Sequence, residues 1–374
     1  MSVDMRDDLR LDASVTFYRL YDVAYAIDLE RAADVLGTST RGRARPVRLD
    51  ARAIEIRNPP LVVSLGELEM RIDGATYTGT LAAHVFDFGV CSLQLHVAAP
   101  PRSTWRHFVE FAATLGACSD VPRAFEREIQ TLFARLHPMT ERPVIAPLVE
   151  EYRIYRVDRV EHGAAPPLPM GALFADAALV PLLVGERRAI SPGALRELVP
   201  NRFSYYEDDL VVLTWESAFV AEPRADDRDI EYVLEFANAQ LLELRVYDHQ
   251  LDTELPALYD RVAAARARLR PAGRFRQVLS DLQTRVADVT ETVERVENAL
   301  KVTNDVYLAR VYAAALELFR ERTWRRGIER KLGILRETYA MLNSEAQAVR
   351  MELLELVVVI LIFAELALGI LGHG

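Results

Sequence analysis

Residues able to do chemistry are scattered along this chain, and few share a spacing that chemistry requires. Gly37-Thr-Ser-Thr-Arg-Gly42 has the glycine spacing of a phosphate loop, but Arg43 and Ala44 stand where such a loop needs Lys and Ser or Thr. The stretch reads instead as an Arg-rich loop, with six arginines from Arg41 to Arg57 against Asp50 and Glu55. No aromatic is interleaved there to stack nucleic-acid bases. The seven histidines form no HExxH or facial-triad spacing, and His249 beside Asp248, Asp252 and Glu254 reads as a solvated helix face. Glu207-Asp208-Asp209 reads as an acidic turn ahead of a strand, the alternative being a cation site. Ser191 and Ser204 have neither a visible base nor nucleophile-elbow glycines. No catalytic, cofactor-binding or metal-ligating residue is assigned, so the expectation is a protein that is not an enzyme and needs no cofactor.

The elements that would position any site divide the chain in three. Its 374 residues exceed one average domain, and a composition 51% hydrophobic excludes a disordered or collagen-like chain. A net charge of −10 argues against a basic coat for duplex nucleic acid. Cys91 and Cys118 stand in no metal or redox spacing, which excludes a disulfide scaffold. Mean hydropathy is +0.03 although 27% of residues are charged, so the apolar residues must be concentrated somewhere.

They gather at the C-terminus. Leu353–Leu371 reads LLELVVVILIFAELALGIL, nineteen residues that would span about 28 Å as a helix. Fourteen Leu, Ile, Val and Phe contribute roughly −4 to −8 kcal/mol to insertion, against about +2.5 to +3.5 for a carboxylate at mid-membrane. On that sum the segment is a transmembrane anchor, with Glu355 near the interface and Glu365 facing a protein neighbour; the alternative is a helix buried in an oligomer. Seven basic residues against two acids between Arg320 and Arg336 place the body on the cytoplasmic side, a tail-anchored layout.

Upstream, Phe275, Leu279, Leu282, Val286, Val289, Val293, Val296 and Leu300 alternate steps of four and three, the period of a coiled-coil seam. Ile328, Leu332, Leu335, Tyr339, Leu342, Ala346, Val349 and Leu353 repeat the pattern, with Gly327 as a break ahead of them. Between the two series Val311, Ala315 and Leu318 mark a shorter helix. The N-terminal part reads as an α+β domain. Residues 15–29 pass from strand to helix, and 61–98 give short runs of an antiparallel sheet. Trp105–Leu115 and Pro122–Leu136 are amphipathic helices, followed by a strand near Tyr152–Val160, two short helices and a strand Leu210–Val220. The domain boundaries expected are 1–225 for the α+β unit, 226–350 for a helical stalk and 351–374 for the anchor.

Several of these runs resemble the required-for-meiotic-nuclear-division family, also called the YagE or Sad-interacting-factor family. They are AISPGAL (189–195), SYYEDDLVVLTWESAFV (204–220), LLELRVYDHQLDTELPALYD (241–260), LKVTNDVYLARVYAAALELF (300–319) and RMELLELVVVILIFAE (350–365). The resemblance implies a membrane-associated protein with one C-terminal hydrophobic helix, no defined catalytic residue and a ribosome-associated partner. The functional expectation is therefore a membrane-anchored, homo-oligomeric scaffold or adaptor. The alternative is a CorA-like channel in which Glu365 lines a pore, although only one hydrophobic segment is present and no Gly-Met-Asn motif follows it.

Overall fold

Strand β1 (Arg10–Asp22) is buried on both faces for most of its length, and the fold is assembled around it. The computed structural model describes residues 9–36, 54–56, 58–72, 74–161, 169–224, 227–266, 300–302 and 306–371, with single helical positions at 280, 284 and 287. The further strands are β2 (Ala26–Ile27), β3 (Ile54–Ile56), β4 (Leu61–Ile72), β5 (Ala75–Val85), β6 (Val90–Ala98), β7 (Thr140–Glu141), β8 (Val149–Glu161), β9 (Asn201–Phe203), β10 (Leu210–Leu213), β11 (Ser217–Ala221) and β12 (Leu300–Val302). The helices are α1 (Leu29–Leu36), α2 (Trp105–Gly116), α3 (Asp120–Leu136), α4 (Met170–Leu173), α5 (Asp176–Leu183), α6 (Pro192–Leu198), α7 (Asp229–Arg266), α8 (Val306–Leu318) and α9 (Glu321–Leu371). By compactness the chain divides into residues 1–246 with 295–322, and residues 247–294 with 323–374.

The first unit is a three-layer α+β structure. Eight strands lie in the order β4-β5-β6-β1-β8-β11-β10-β9, antiparallel except where β11 runs parallel to β8. Period-2 alternation sends Val15 and Phe17 of β1, Leu93 and Leu95 of β6, and Tyr155 and Val157 of β8 to one face. There they meet Trp105, Phe108 and Phe111 of α2, Phe125 and Ile129 of α3, and Leu179 and Leu183 of α5. Thr104 caps α2, its side chain accepting from the His107 N–H at 3.2 Å. The opposite face is covered by the first turns of α7 and by α8. Phe236 of α7 stands edge-on to Phe86 and Phe88, and Phe319, just past α8, stands edge-on to Tyr152.

In the second unit α7 and α9 are clipped together by one of the chain's two lysines. Lys331 Nζ lies 2.6 Å from both Asp248 Oδ1 and Asp252 Oδ1. Leu251, Ile328, Leu332 and Leu335 are buried.

Several expectations change. No helix among the described residues is long and apolar enough to cross a membrane. In α9 the uninterrupted apolar run, Leu356–Ala364, is nine residues between Glu355 and Glu365. It measures about 14 Å, half of the ~30 Å hydrocarbon core, which the insertion sum concealed by treating both acids as tolerable interruptions. The fold is an α+β unit with a C-terminal helical region, and the transmembrane anchor, the tail-anchored layout and the cytoplasmic side read from it are withdrawn. Gly327 does not break the helix; the break falls at Arg320, whose φ of 54° ends α8 directly ahead of α9. Leu210–Val220 is two antiparallel strands, turned by Thr214–Glu216. Leu300 lies in β12, paired with Ile56, and the other seam positions Leu279, Leu282, Val286, Val289, Val293 and Val296 lie outside the described residues.

The β5–β6 turn depends on Gly89. Its φ is +101°, and a Cβ there would stand 1.7 Å from the Ala24 carbonyl oxygen. Both the strain and the backbone collision fall on the turn that closes β1's end, where Val23 N–H donates to Gly89 O. Gly89→Ala should cost at least about 3 kcal/mol, seen as a fall of roughly 6–12 °C in Tm; a change under 2 °C would contradict this geometry.

Candidate functional site

The face of the sheet beneath α7 is polar, yet covered. From β1 it takes Ser14, Thr16 and Tyr18, from β6 Ser92, Gln94 and His96, from β5 His84, and from β8 Arg156. Against these, α7 sets Glu231 and Glu235, one helical turn apart. Glu235 Oε2 lies 2.7 Å from His84 Nδ1, and Glu235 Oε1 accepts from Gln94 Nε2 at 2.7 Å. Arg156, 1% exposed, donates through Nη1 to Glu231 Oε1 and through Nε to Asp158 Oδ1, both at 2.6 Å. Its Nη2 reaches the carbonyl of Arg224 at 3.0 Å, and Arg228 joins Glu231 at 3.1 Å. Burial works against the Arg156 charge, but the Glu231 and Asp158 carboxylates raise its pKa above the usual value.

The remaining shifts favour uncharged forms. Burial, reinforced by Glu235 and Glu231, pushes the Tyr18 hydroxyl well above its ordinary value. Burial also raises Tyr232. His96, whose Nδ1 is 3.0 Å from Thr16 Oγ1, is lowered by burial and then by Arg228. Acids and bases in this layer neutralise one another or stay neutral, so its chemistry is that of a registered, sealed contact. Asp22, at the end of β1, is pushed by burial up to about 7, against the backbone N–H of Ala24.

A second cluster is exposed. The β9–β10 loop presents Tyr205 and Tyr206 at 63% and 51% exposure, and the β10–β11 turn presents Trp215 at 42%. The tyrosine loop is braced from within. Tyr205 and Tyr206 N–H groups donate to Asp209 Oδ1 at 2.7 and 3.2 Å, and Ser204 Oγ donates to the Tyr206 carbonyl. The Glu207 carbonyl accepts from Met170 N–H at 2.9 Å. Tyr205 stands at 80° to Tyr206 and 59° to Tyr307 of α8, centroids 4.8 and 5.8 Å apart. Guanidinium groups of Arg224, Arg310 and Arg320 lie about 6 Å over Tyr206, Phe203 and Trp215.

The residues singled out from sequence fall elsewhere. Glu355 is exposed on α9; the side chains of Glu365 and Leu342 lie outside those described, and Leu332 and Leu335 are buried in the second unit. Asp209 of the acidic turn binds the loop backbone, and among the described residues no group of acids, His or Cys could hold a metal ion. Ser191 caps α6, accepting from the Ala194 N–H. Asp248 and Asp252, taken with His249 as a solvated face, hold Lys331. The phosphate-loop-like Gly37–Gly42 lies outside the described residues. What the reading missed is the polar layer. The signal was present in β6, where Ser92, Gln94 and His96 recur at period 2.

The chain belongs to the family described as "Uncharacterized protein MJ0711, N-terminal domain", whose model matches residues 12–227, from β1 to the entrance of α7. This replaces the resemblance to the YagE or Sad-interacting-factor family, and with it goes the ribosome-associated partner. With the anchor gone, the membrane partner, the anchored homo-oligomeric scaffold and the CorA-like channel lose their support. The chain is 23% identical over 194 residues to "Uncharacterized protein MJ0711" of Methanocaldococcus jannaschii, covering 51% of this chain and 58% of that relative. No solved structure matches.

Two measurements check the site's electrostatics. Asp22 ionises near pH 4 unfolded and near 7 folded, so stability falls as pH rises between those values and stays reduced above 7, by on the order of 3–4 kcal/mol. Asp22→Asn should flatten that slope in urea titrations from pH 5 to 8 and stabilise at pH 8. Arg156→Ala leaves Glu231 beneath α7 with only the half-exposed Arg228 and should cost about 3 kcal/mol, whereas Arg156→Met together with Glu231→Leu should cost far less. Equal losses would show that packing, not charge, holds the layer.

Proposed function

We propose that this family member is a recognition domain without catalytic activity, whose partner docks on the exposed aromatic rim formed by the β9–β10 loop, the β10–β11 turn and α8. The observation that carries the reading is the tyrosine loop itself. Two large rings face water on a backbone held by Asp209, Ser204 and Met170. A loop so braced loses little conformational entropy on binding, and rigid aromatic side chains are the anchors that dominate interface energies. The polar layer supports the same conclusion from the other side. Its acids and bases are paired with each other beneath α7, where they hold the helix in register.

A photo-crosslinking phenylalanine at position 206 tests this. It should capture a discrete partner in cells, while the same group at Val144, 60% exposed elsewhere on the unit, should not. Tyr205→Ala with Tyr206→Ala should leave Tm within about 2 °C, since both side chains are solvent-facing. Equal capture at both positions, or none at 206, would sink the reading.

A further inference from the structure

We infer that the rim recognises a cationic side chain on an extended peptide, and that Tyr205 and Tyr206, with the Glu207 and Asp208 carboxylates, form the receiving corner. The inference rests on the rim being the docking surface and adds the chemistry of what docks.

The rings already show their preference. Tyr206, Phe203 and Trp215 each have an arginine guanidinium of this same chain over them, so these π faces sit where cations are accepted. Tyr205, the most exposed of the group, has no such cation among the described residues. It meets Tyr206 nearly at a right angle, and at 63% exposure it keeps ring surface open to water, where a cation can lie over its π face. Glu207 and Asp208 are exposed next to the corner and form no ion pair with a described residue. Glu216 is exposed beside Trp215 at the far end of β10.

Those three carboxylates decide between ligand classes. A single-stranded nucleic acid would use the same rings for stacking, but its phosphates would pass Glu207, Asp208 and Glu216. Of the nearby arginines, Arg224 has its charge met within the chain, bonded to Glu222 at 3.1 Å and paired with Asp227 at 3.4 Å, while Arg310 and Arg320 lie over Phe203 and Trp215 and not over Tyr205. A guanidinium or ammonium gains from the Tyr205 face and from the acids beside it. Aromatic groups at both ends of the four-residue strand β10 favour an extended chain over a free small cation.

The test uses the full-length protein and fluorescence anisotropy with dye-labelled dodecapeptides of alternating Arg–Gly and Glu–Gly, plus a uridine oligomer. The Arg–Gly peptide should bind in 150 mM salt. Tyr205→Ala with Tyr206→Ala should weaken it about tenfold, Glu207→Gln with Asp208→Asn by a similar factor, and Tyr205→Phe hardly at all. Unchanged thermal melts would show that the variants fold, and Tyr205→Phe keeps the ring if the alanine variant does not. Arg–Gly binding that ignores both double substitutions is general attraction to an acidic protein and overturns the inference. So does binding no tighter than that of Glu–Gly. If the uridine oligomer or Glu–Gly binds instead and is lost with the tyrosines, the cation fails while the rim stands. If no probe binds and position 206 captures nothing, both fall.

Discussion

Two carboxylates one turn apart on α7 govern this structure. Glu231 and Glu235 meet a sheet face made of Arg, His, Gln and hydroxyl side chains. Each partner is too polar to be buried alone, and together they satisfy Arg156, His84, Gln94 and one or both oxygens of each glutamate. The apolar residues around them, Val233, Leu234, Phe236 and Ala237, are wholly buried and would pack in more than one register. The hydrogen bonds permit one. Much of the remaining geometry follows from that choice. Phe236 is set between Phe86, Phe88 and Tyr312, and Gln240 reaches the Tyr312 hydroxyl on α8 at 2.7 Å. Farther along, Arg245 meets Glu150 of β8. Helix α8 in turn backs the aromatic rim through Tyr307 and Arg310.

The elements of the α+β unit were largely legible. The strand at β1, the hairpins of 61–98, and helices α2 and α3 follow from periodicity that local physics enforces. Period 2 separates two faces of a strand, however, without saying whether the polar one meets water or another layer. Ser92, Gln94 and His96 therefore gave no hint of burial, and α7's acids fell at the start of what read as a stalk. The turn at Thr214–Glu216 escaped because it contains neither Gly nor Pro. It is closed by Thr214 Oγ1 and Ser217, which bond one another and the Leu183 carbonyl. Arg320 hid the final helix break for a related reason, since a left-handed residue there is expected to be Gly or Asn.

The C-terminal misreading has a different origin. A transfer sum adds residues wherever they sit, whereas a bilayer demands unbroken length. Fourteen apolar side chains outweigh two acids on paper, yet those acids divide α9 so that the clean run is nine residues. The rim was missed for want of context. Tyr205-Tyr206-Glu207-Asp208 is legible as an exposed turn, but the brace beneath it is a single oxygen of Asp209, and its third ring comes from residue 307.

The polar underside of the sheet also bears on how the chain is made. Strands β1, β5, β6 and β8 are complete by residue 161, while the helix that covers them begins at Asp229. During synthesis from the N-terminus, at roughly 5–20 residues per second, that face must wait several seconds or more for its cover. An apolar face waiting so long would invite association with other nascent chains. This one sets Ser, Thr, Gln, His and Arg among Leu20, Tyr152 and Ile154, so much of it can remain hydrated until Glu231 and Glu235 arrive, and the layer that fixes α7 in the finished protein also shields the unfinished one.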